Sequence, residues 1–557
     1  MKKIAIAQIN PIIGDFKYNF RKINSYINRA VELSCDLVVF SEMTVTGYPP
    51  RDLLERENFV NANIACLKKL IDSVKGIGVI CGFVDKAAEG SDLLYNSAVL
   101  FEDGNILHKV NKRLLPTYDV FDEKRYFKAG VESRAFFYKG YKIGLTVCED
   151  AWNDKEIFKE KRLYKTDPVA LMIEDGADLI INISASPFYK GKNEFRSKLL
   201  GTIAKKYKTP MIYTNQVGGN DSILFDGISS GFDKNGNIIV RASDFKEDLV
   251  VFNLESLKKD IHPIAESDDE SILKALIMGT RDYVSKCGFS KAVIGLSGGI
   301  DSALTAYIAV KALGPENVLT VFMPSEYTSE DNYEDTKKFA ENMRVKLINV
   351  PIGGIFKEFL KYFSSSNKNQ GRAAEPGITE QNIQARIRGT ILMGFSNMNG
   401  CLLLSTGNKS ELGVGYCTLY GDMNGGLAVI SDVPKTRVYG ISRYINRKKE
   451  YIPLRIIEKE PTAELKPDQK DQDDLPPYEV LDPVLKGYIE DFKGVEELVR
   501  SGFERELVED VVSRVDRNEY KRHQAAPGLK VTSKAFGYGR RYPIAQRYTI
   551  NPSVFES

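Results

Sequence analysis

Residues 295–302 read Gly-Leu-Ser-Gly-Gly-Ile-Asp-Ser, between an apolar run at 291–294 and a run of helix-forming residues at 303–313. A strand, a glycine turn and a helix start make a cradle for an anion, because free backbone N–H groups and the helix dipole both favour negative charge. Gly298 and Gly299 let the backbone close around oxygens, and Ser297 and Ser302 add hydroxyls. No lysine follows the glycines, so this is not the GxxxxGK[ST] loop of ordinary NTPases. Asp301 would repel a phosphate unless a Mg²⁺ lay between them, which suits a Mg-bound pyrophosphate leaving group.

Downstream of this turn, Asn317-Val-Leu-Thr-Val-Phe322 and Lys346-Leu-Ile-Asn-Val350 read as further strands separated by helical patterns. That alternation predicts a doubly wound parallel sheet with ligands at the carboxyl ends of its strands. Upstream, residues 254–270 are polar, charged and contain a proline, so 256–270 reads as a linker between domains at 1–255 and 271–557. The first domain alternates short β-rich runs with amphipathic helices. Lys3–Gln8, Asp36–Phe40, Gly78–Gly82, Lys142–Val147, Asp178–Ile183 and Met211–Thr214 are its strands, and Phe16, Phe20, Ile23, Ile27 and Ala30 mark a helix. Asp103-Gly104 and Asn235-Gly236 signal hairpins, so its sheet is expected to be mixed. The first strand, followed early by Pro11, reads as a sheet edge, and 364–376 and 466–477 read as mobile surface loops.

The whole chain bounds its chemistry. At 557 residues it is too long for one core, so two to four domains are expected. A formal charge of +2 gives no reason to expect nucleic acid or a membrane surface as partner. No stretch approaches the ~18 apolar residues of a membrane span, and the start is unlike a signal peptide, which places the protein in the cytoplasm. Seven cysteines without a CxxC or Cys/His cluster support neither a disulfide framework nor a zinc site. With three histidines in all, a proton carrier is expected to be a carboxylate or a lysine.

Cys148 falls where the run 142–147 ends, a position where side chains emerge at a cleft. A thiol near its ordinary pKa of ~8.5 needs a base and an oxyanion donor to attack an amide. Glu42 ends the run 36–40 in the same manner, at what reads as the same rim of the sheet, and Lys112 lies between the two in sequence.

These three stretches, in this order, resemble the Glu-Lys-Cys triad of the nitrilase superfamily. The resemblance implies a nitrilase-like α/β sandwich in which Glu42 is general base, Lys112 oxyanion stabiliser, Cys148 nucleophile and Glu123 an orienting carboxylate. Tyr118, Ser186 and Lys192 match the glutamine pocket of its amidase members, and Glu149 suits an α-ammonium by charge. Residues 297–302 resemble the signature of PP-loop ATP pyrophosphatases. Together with 404–412, 380–386 and 519–524, the second half resembles NAD synthetases. That resemblance gives residues 295–302 (Gly295, Leu296, Ser297, Gly298, Gly299, Ile300, Asp301 and Ser302) and Thr406 to ATP. It gives Asn382, Glu411 and Lys521 to nicotinic acid adenine dinucleotide, while carboxylate chemistry makes Asp301 and Glu411 the candidates for Mg²⁺. Asp422, Lys435 and Thr436 are further ligand-loop candidates with the chemistry to steady triphosphate oxygens. His523 and Ala526 depart from the pattern of the tail. Over nearly its full length the chain is similar to glutamine-dependent NAD synthetases. What this implies is amidation of an adenylated nicotinate carboxylate, with ammonia released from glutamine and passed through a tunnel in a homo-oligomer. The alternatives are another glutamine-dependent PP-loop amidoligase, or a carbon–nitrogen hydrolase with a nucleotide-sensing domain.

Overall fold

The computed structural model describes residues 1–87, 93–132, 134–158, 163–256, 258–366, 377–462, 464–467 and 469–546. The chain divides into two compact units, Met1–Glu266 and Ser267–Ser557. The second begins with a helix, Asp268–Lys286, whose N-cap Ser267 accepts a hydrogen bond from Glu270 N. Three acidic residues in the first turn, Asp268, Asp269 and Glu270, suit the helix dipole there.

The first unit stacks two mixed sheets. One runs, edge to edge, Asp248–Asn253, Lys3–Gln8, Leu37–Val39, Gly78–Lys86, Leu94–Glu102, Asn105–Asn111. The other runs Asp260–Ile261, Ile238–Arg241, Ser230–Phe232, Met211–Asn215, Leu179–Ser184, Tyr141–Val147, Phe136–Tyr138. Alternation along each strand decides the layers. Ile4, Ile6, Leu37 and Val39 face Leu145, Val147, Ile181 and Ile183 between the sheets. Ala5, Ala7, Val38 and Phe40 point the other way, against Ile23, Ile27 and Ala30 of the helix Phe16–Glu32. The helices Pro168–Glu174 and Lys192–Tyr207 cover the second sheet with Met172, Leu199 and Ile203.

Both hairpin signals are turns: Asp103 and Gly104 take φ of 50° and 84°, and Gly236 takes 83°. Lys3–Gln8 is not an edge strand. It pairs parallel with Leu37–Val39 and antiparallel with Asp248–Asn253, the strand that returns from the end of the unit. Pro11 lies beyond its last ladder residue and so costs no pairing.

The second unit holds a five-stranded, wholly parallel sheet in the order Lys346–Asn349, Val318–Phe322, Ala292–Gly295, Leu402–Ser405, Leu427–Ala428. The order reverses at Ala292–Gly295, so the glycine turn leaves the carboxyl end of the strand at the topological switch point, where open α/β sheets bind ligands. A further helical layer, Tyr478–Ile489, Val495–Arg500 and Arg505–Arg517, packs Leu481, Val484, Leu498, Val511 and Val512 together. The expected loop 466–477 is anchored, because Gln469, Asp471 and Leu475 are buried. Of the other expected loop, 367–376 lies outside the described residues, and 364–366 continue the helix Gly353–Ser366. No described helix is long and apolar enough to cross a membrane.

Candidate active sites

In the first unit three strand ends converge. Glu42 follows Leu37–Val39 of one sheet, Cys148 follows Tyr141–Val147 of the other, and Lys112 follows Asn105–Asn111. Glu42 and Cys148 therefore belong to two stacked sheets, and not to one rim as the sequence suggested; face-to-face packing brings the two carboxyl ends together. Cys148 has φ +46° and opens a short 3-10 turn, Cys148–Ala151. A non-glycine residue held there is strained, and such strain concentrates at functional sites.

Lys112 donates hydrogen bonds to Glu42 Oε1 and Glu123 Oε1, both at 2.8 Å. Glu42 also accepts from Asn96 Nδ2 at 2.7 Å and, through Oε2, from Ala185 N at 2.8 Å. Tyr48 donates its phenol to Glu123 at 2.8 Å. Glu42, Lys112, Glu123 and Cys148 are all buried. Burial opposes the Lys112 charge, but Glu123 and Glu42 outweigh it and hold the ammonium protonated well above the ordinary lysine range. Burial pushes Glu123 up, with the Glu42 charge adding to it against Lys112. Oε2 of Glu123 has no partner. A proton there leaves one ammonium and one carboxylate, a neutral buried cluster. Burial and then the Glu42 charge push the Cys148 thiol well up, so the resting sulfur is protonated and needs a base.

Glu42 is brought this close by a glycine. A Cβ on Gly82 would lie 2.2 Å from Met43 N and 2.7 Å from Glu42 Cα. Asp150 ties the nucleophile turn to the lysine segment, accepting from Arg113 N at 3.0 Å, Leu114 N at 2.9 Å and Val147 N at 3.1 Å. Of the expected glutamine residues, Tyr118 donates to both oxygens of Glu149 at 3.0 Å. The Ser186 backbone N–H binds Asn215, and the buried Lys192 donates to Pro187 O at 2.8 Å and lies over the ring of Trp152.

In the second unit a cleft is lined by the whole turn Gly295–Ser302, with Thr406, Glu411, Asp422 and Lys435. Gly298, at φ +88°, has no room for a Cβ, which would lie 2.8 Å from Asn332 Cγ. Ser302 Oγ bonds Ser297 N at 3.2 Å and Gly299 O at 2.9 Å and so closes the turn on itself. Lys435, buried, binds Asp301 Oδ2 at 2.5 Å and Glu411 Oε1 at 3.1 Å. Glu411 is aimed by a capping box at the start of Lys409–Val414, in which Asn408 accepts from Glu411 N at 3.0 Å. Asn408 also donates to Asp301 Oδ1 at 3.0 Å. Burial raises Glu411 and opposes Lys435, yet Asp301 and Glu411 keep the lysine charged.

Mg²⁺ takes hard oxygens, one or two carboxylates with phosphates and water completing its shell. Asp301 and Glu411, side by side on the cleft wall, fit that donor set with a triphosphate supplying the rest.

Asn382, Asp422 and Lys521 converge on the loop 415–422. Asn382 Oδ1 accepts from Thr418 Oγ1 at 2.8 Å, Asp422 from Thr418 N at 2.6 Å, and Lys521 donates to Gly415 O at 2.7 Å and Cys417 O at 2.9 Å. Asp422 lines the cleft, while Asn382 and Lys521 grip the loop that does. Thr436 is a correction. Its N–H and hydroxyl both donate to Asp482 Oδ2, at 2.9 and 2.7 Å, and it lines a neighbouring groove and not this cleft. A buried aspartate one helix away competes for the very groups that would have met phosphate. His523 is exposed, 3.7 Å from Glu519.

Several residues escaped the sequence reading. Arg388 lines the cleft with its guanidinium bonded to Met323 O at 3.1 Å, and burial lowers its pKa to about 10. Asp471, from a stretch that reads as a surface loop, reaches the same wall. Asn96, Tyr48 and Asp150 act on Glu42, Glu123 and the cysteine turn through tertiary contacts that no spacing announces.

The two sites define the class: a carbon–nitrogen hydrolase unit followed by an ATP-dependent ligase unit in one chain. Family models agree, carbon-nitrogen hydrolase over residues 3–257 and NAD synthase over 272–525. The chain is 46% identical over 558 residues to the glutamine-dependent NAD(+) synthetase of Synechocystis sp., covering 98% of this chain and 99% of that one. It is 42% identical to the Thermotoga maritima enzyme of the same name over 98% and 99%. A solved glutamine-dependent NAD+ synthetase from Acinetobacter baumannii, in complex with ADP, matches 99% of both chains at 41% identity and a TM-score of 0.77. The chain belongs to the glutamine-dependent NAD(+) synthetases.

Proposed function

We propose that the first unit hydrolyses glutamine and the second spends the ammonia on an adenylated nicotinic acid adenine dinucleotide, giving NAD, AMP, pyrophosphate and glutamate. The observation that carries the reading is the buried Glu42-Lys112-Glu123 cluster beside a strained cysteine. Glu42 takes the thiol proton as Cys148 Sγ attacks the carboxamide carbon, and the Lys112 ammonium meets the oxyanion. The tetrahedral intermediate collapses to a thioester as Glu42 returns the proton to departing ammonia. Glu42 then deprotonates the water that releases glutamate. Glu123 fixes Lys112, and Tyr118, Glu149, Ser186 and Lys192 bind glutamine, a role suited by the opposite charges of Glu149 and Lys192 and by the bonds of Tyr118 to Glu149 in the cysteine turn.

For the second unit, the glycine turn and Thr406 hold ATP, a role supported by the ADP bound to the Acinetobacter baumannii relative. Asp301 and Glu411 hold Mg²⁺, which when bound neutralises the pyrophosphate leaving group. Lys435, Arg388 and Lys459 add positive charge on the cleft wall. Asn382, Glu411 and Lys521 serve the dinucleotide. Its place of action is the cytoplasm, where seven free thiols persist. The test follows ¹⁵N from the amide of glutamine: label in the carboxamide of NAD supports the reading, and unlabelled NAD formed from labelled glutamine overturns it.

A further inference from the structure

Glu149 directly follows the nucleophile and is buried, yet it receives two phenols. Tyr118 donates to both its oxygens at 3.0 Å, and Tyr164 donates to Oε1 at 3.2 Å. Tyr164 follows the cysteine turn in sequence, and its carbonyl and that of Thr166 are both held by one side chain. The buried Asn153 side chain donates to Tyr164 O at 2.9 Å and Thr166 O at 2.5 Å. Asp167 then caps the helix Pro168–Glu174 through Ala170 N at 3.1 Å. Such anchoring is more than a surface tyrosine needs, and it aims one hydroxyl at one carboxylate.

We propose that Tyr164 is a positioning residue for glutamine recognition: with Tyr118 it clamps the Glu149 carboxylate so that the acceptor sites left over meet the substrate's α-ammonium. This rests on the glutaminase reading. A carboxylate offers about four acceptor sites, so two phenols leave Glu149 with capacity for a further donor. Tyr118 and Tyr164 contact Glu149 directly, and the charges of Lys112 and Lys192 and the neighbouring Cys148 thiol act on it electrostatically. Burial raises Glu149, while Lys112, the two phenols and Lys192 oppose that rise. Burial and the Glu149 charge keep the Tyr164 phenol protonated and hence a donor. A clamped, ionised Glu149 attracts an ammonium and gives nothing to an amide that lacks one, so the clamp is a selectivity device.

The test is Tyr164→Phe, which keeps the ring and removes one donor. Glutamine and 4-carbamoylbutanoate, the same amide without the α-amino group, are compared as glutaminase substrates. A hydrogen bond to a charged group is worth enough to move a binding constant about tenfold. The variant is expected to raise KM for glutamine about tenfold, with kcat falling less than twofold. The kcat/KM ratio of glutamine over 4-carbamoylbutanoate should fall by the same factor. The acid limb of kcat/KM for glutamine should move to higher pH, because the ionised form of Glu149 has lost a donor. A thermal melt matching the parent verifies folding. An unchanged selectivity ratio, or equal losses on both amides, overturns the proposal. If Cys148→Ala still hydrolyses glutamine, the glutaminase reading itself fails and the proposal falls with it, which separates the two failures.

Discussion

Lys112 Nζ lies 2.8 Å from Glu42 Oε1 with both side chains wholly removed from solvent. Breaking a buried pair from one side leaves a charge that nothing compensates, typically at about 3–5 kcal/mol. Lys112→Met should therefore lower the melting temperature of the first unit and abolish glutaminase activity. Adding Glu42→Gln should restore much of the stability and none of the activity. Calorimetry of single and double variants measures this, and a double variant no more stable than Lys112→Met would show that the charges are not paired.

Cys148→Ala removes the nucleophile and leaves the second unit's cleft untouched. Glutamine-driven NAD formation should vanish while added ammonia still supports it. Loss of both activities in a folded variant would refute the division of labour.

Asp301 and Glu411 share the Lys435 ammonium. Asp301→Ala should leave glutamine hydrolysis running and eliminate pyrophosphate release, because the leaving group loses its metal partner. Pyrophosphate measured by a coupled assay at a series of Mg²⁺ concentrations checks it. Normal release by the variant would count against a metal role.

Asp150 is pushed up to about 6 by burial, with the backbone donors of Leu114 and Val147, the Lys112 charge and the Arg113 donor opposing the rise. A folded-state pKa above that of the unfolded chain means that the native state holds the proton more tightly. The stability it lends is present below pH ~4 and lost as pH rises through about 6, by roughly 3 kcal/mol. Melts of the parent and of Asp150→Asn between pH 4 and 7 should diverge in slope over that window, with the variant the flatter. Parallel curves would mean that the carboxyl stays ionised throughout.

Much of this protein was legible in one dimension. Period-2 and period-3.6 patterns placed the strands and helices, and the Asp-Gly and Asn-Gly pairs placed the hairpins, because local backbone preference and one buried face decide those elements. The turn Gly295–Ser302 was readable because a close-packed glycine turn allows few residue types, and Gly298 at φ +88° is one such constraint. Glu42, Lys112 and Cys148 were readable by their order along the chain.

Tertiary packing alone decided the rest. That Glu42 and Cys148 come from different sheets depends on which faces interlock, and alternation fixes two faces without naming their partners. Lys3–Gln8 became interior because a strand some 245 residues later pairs with it, a contact with no local signature. Thr436 was taken from the ligand cleft by Asp482, and Tyr164 was brought to Glu149, through contacts across the fold. A side chain's chemistry is written in its type, but the partner that consumes or directs it is settled only when the layers close and every buried polar group must find one.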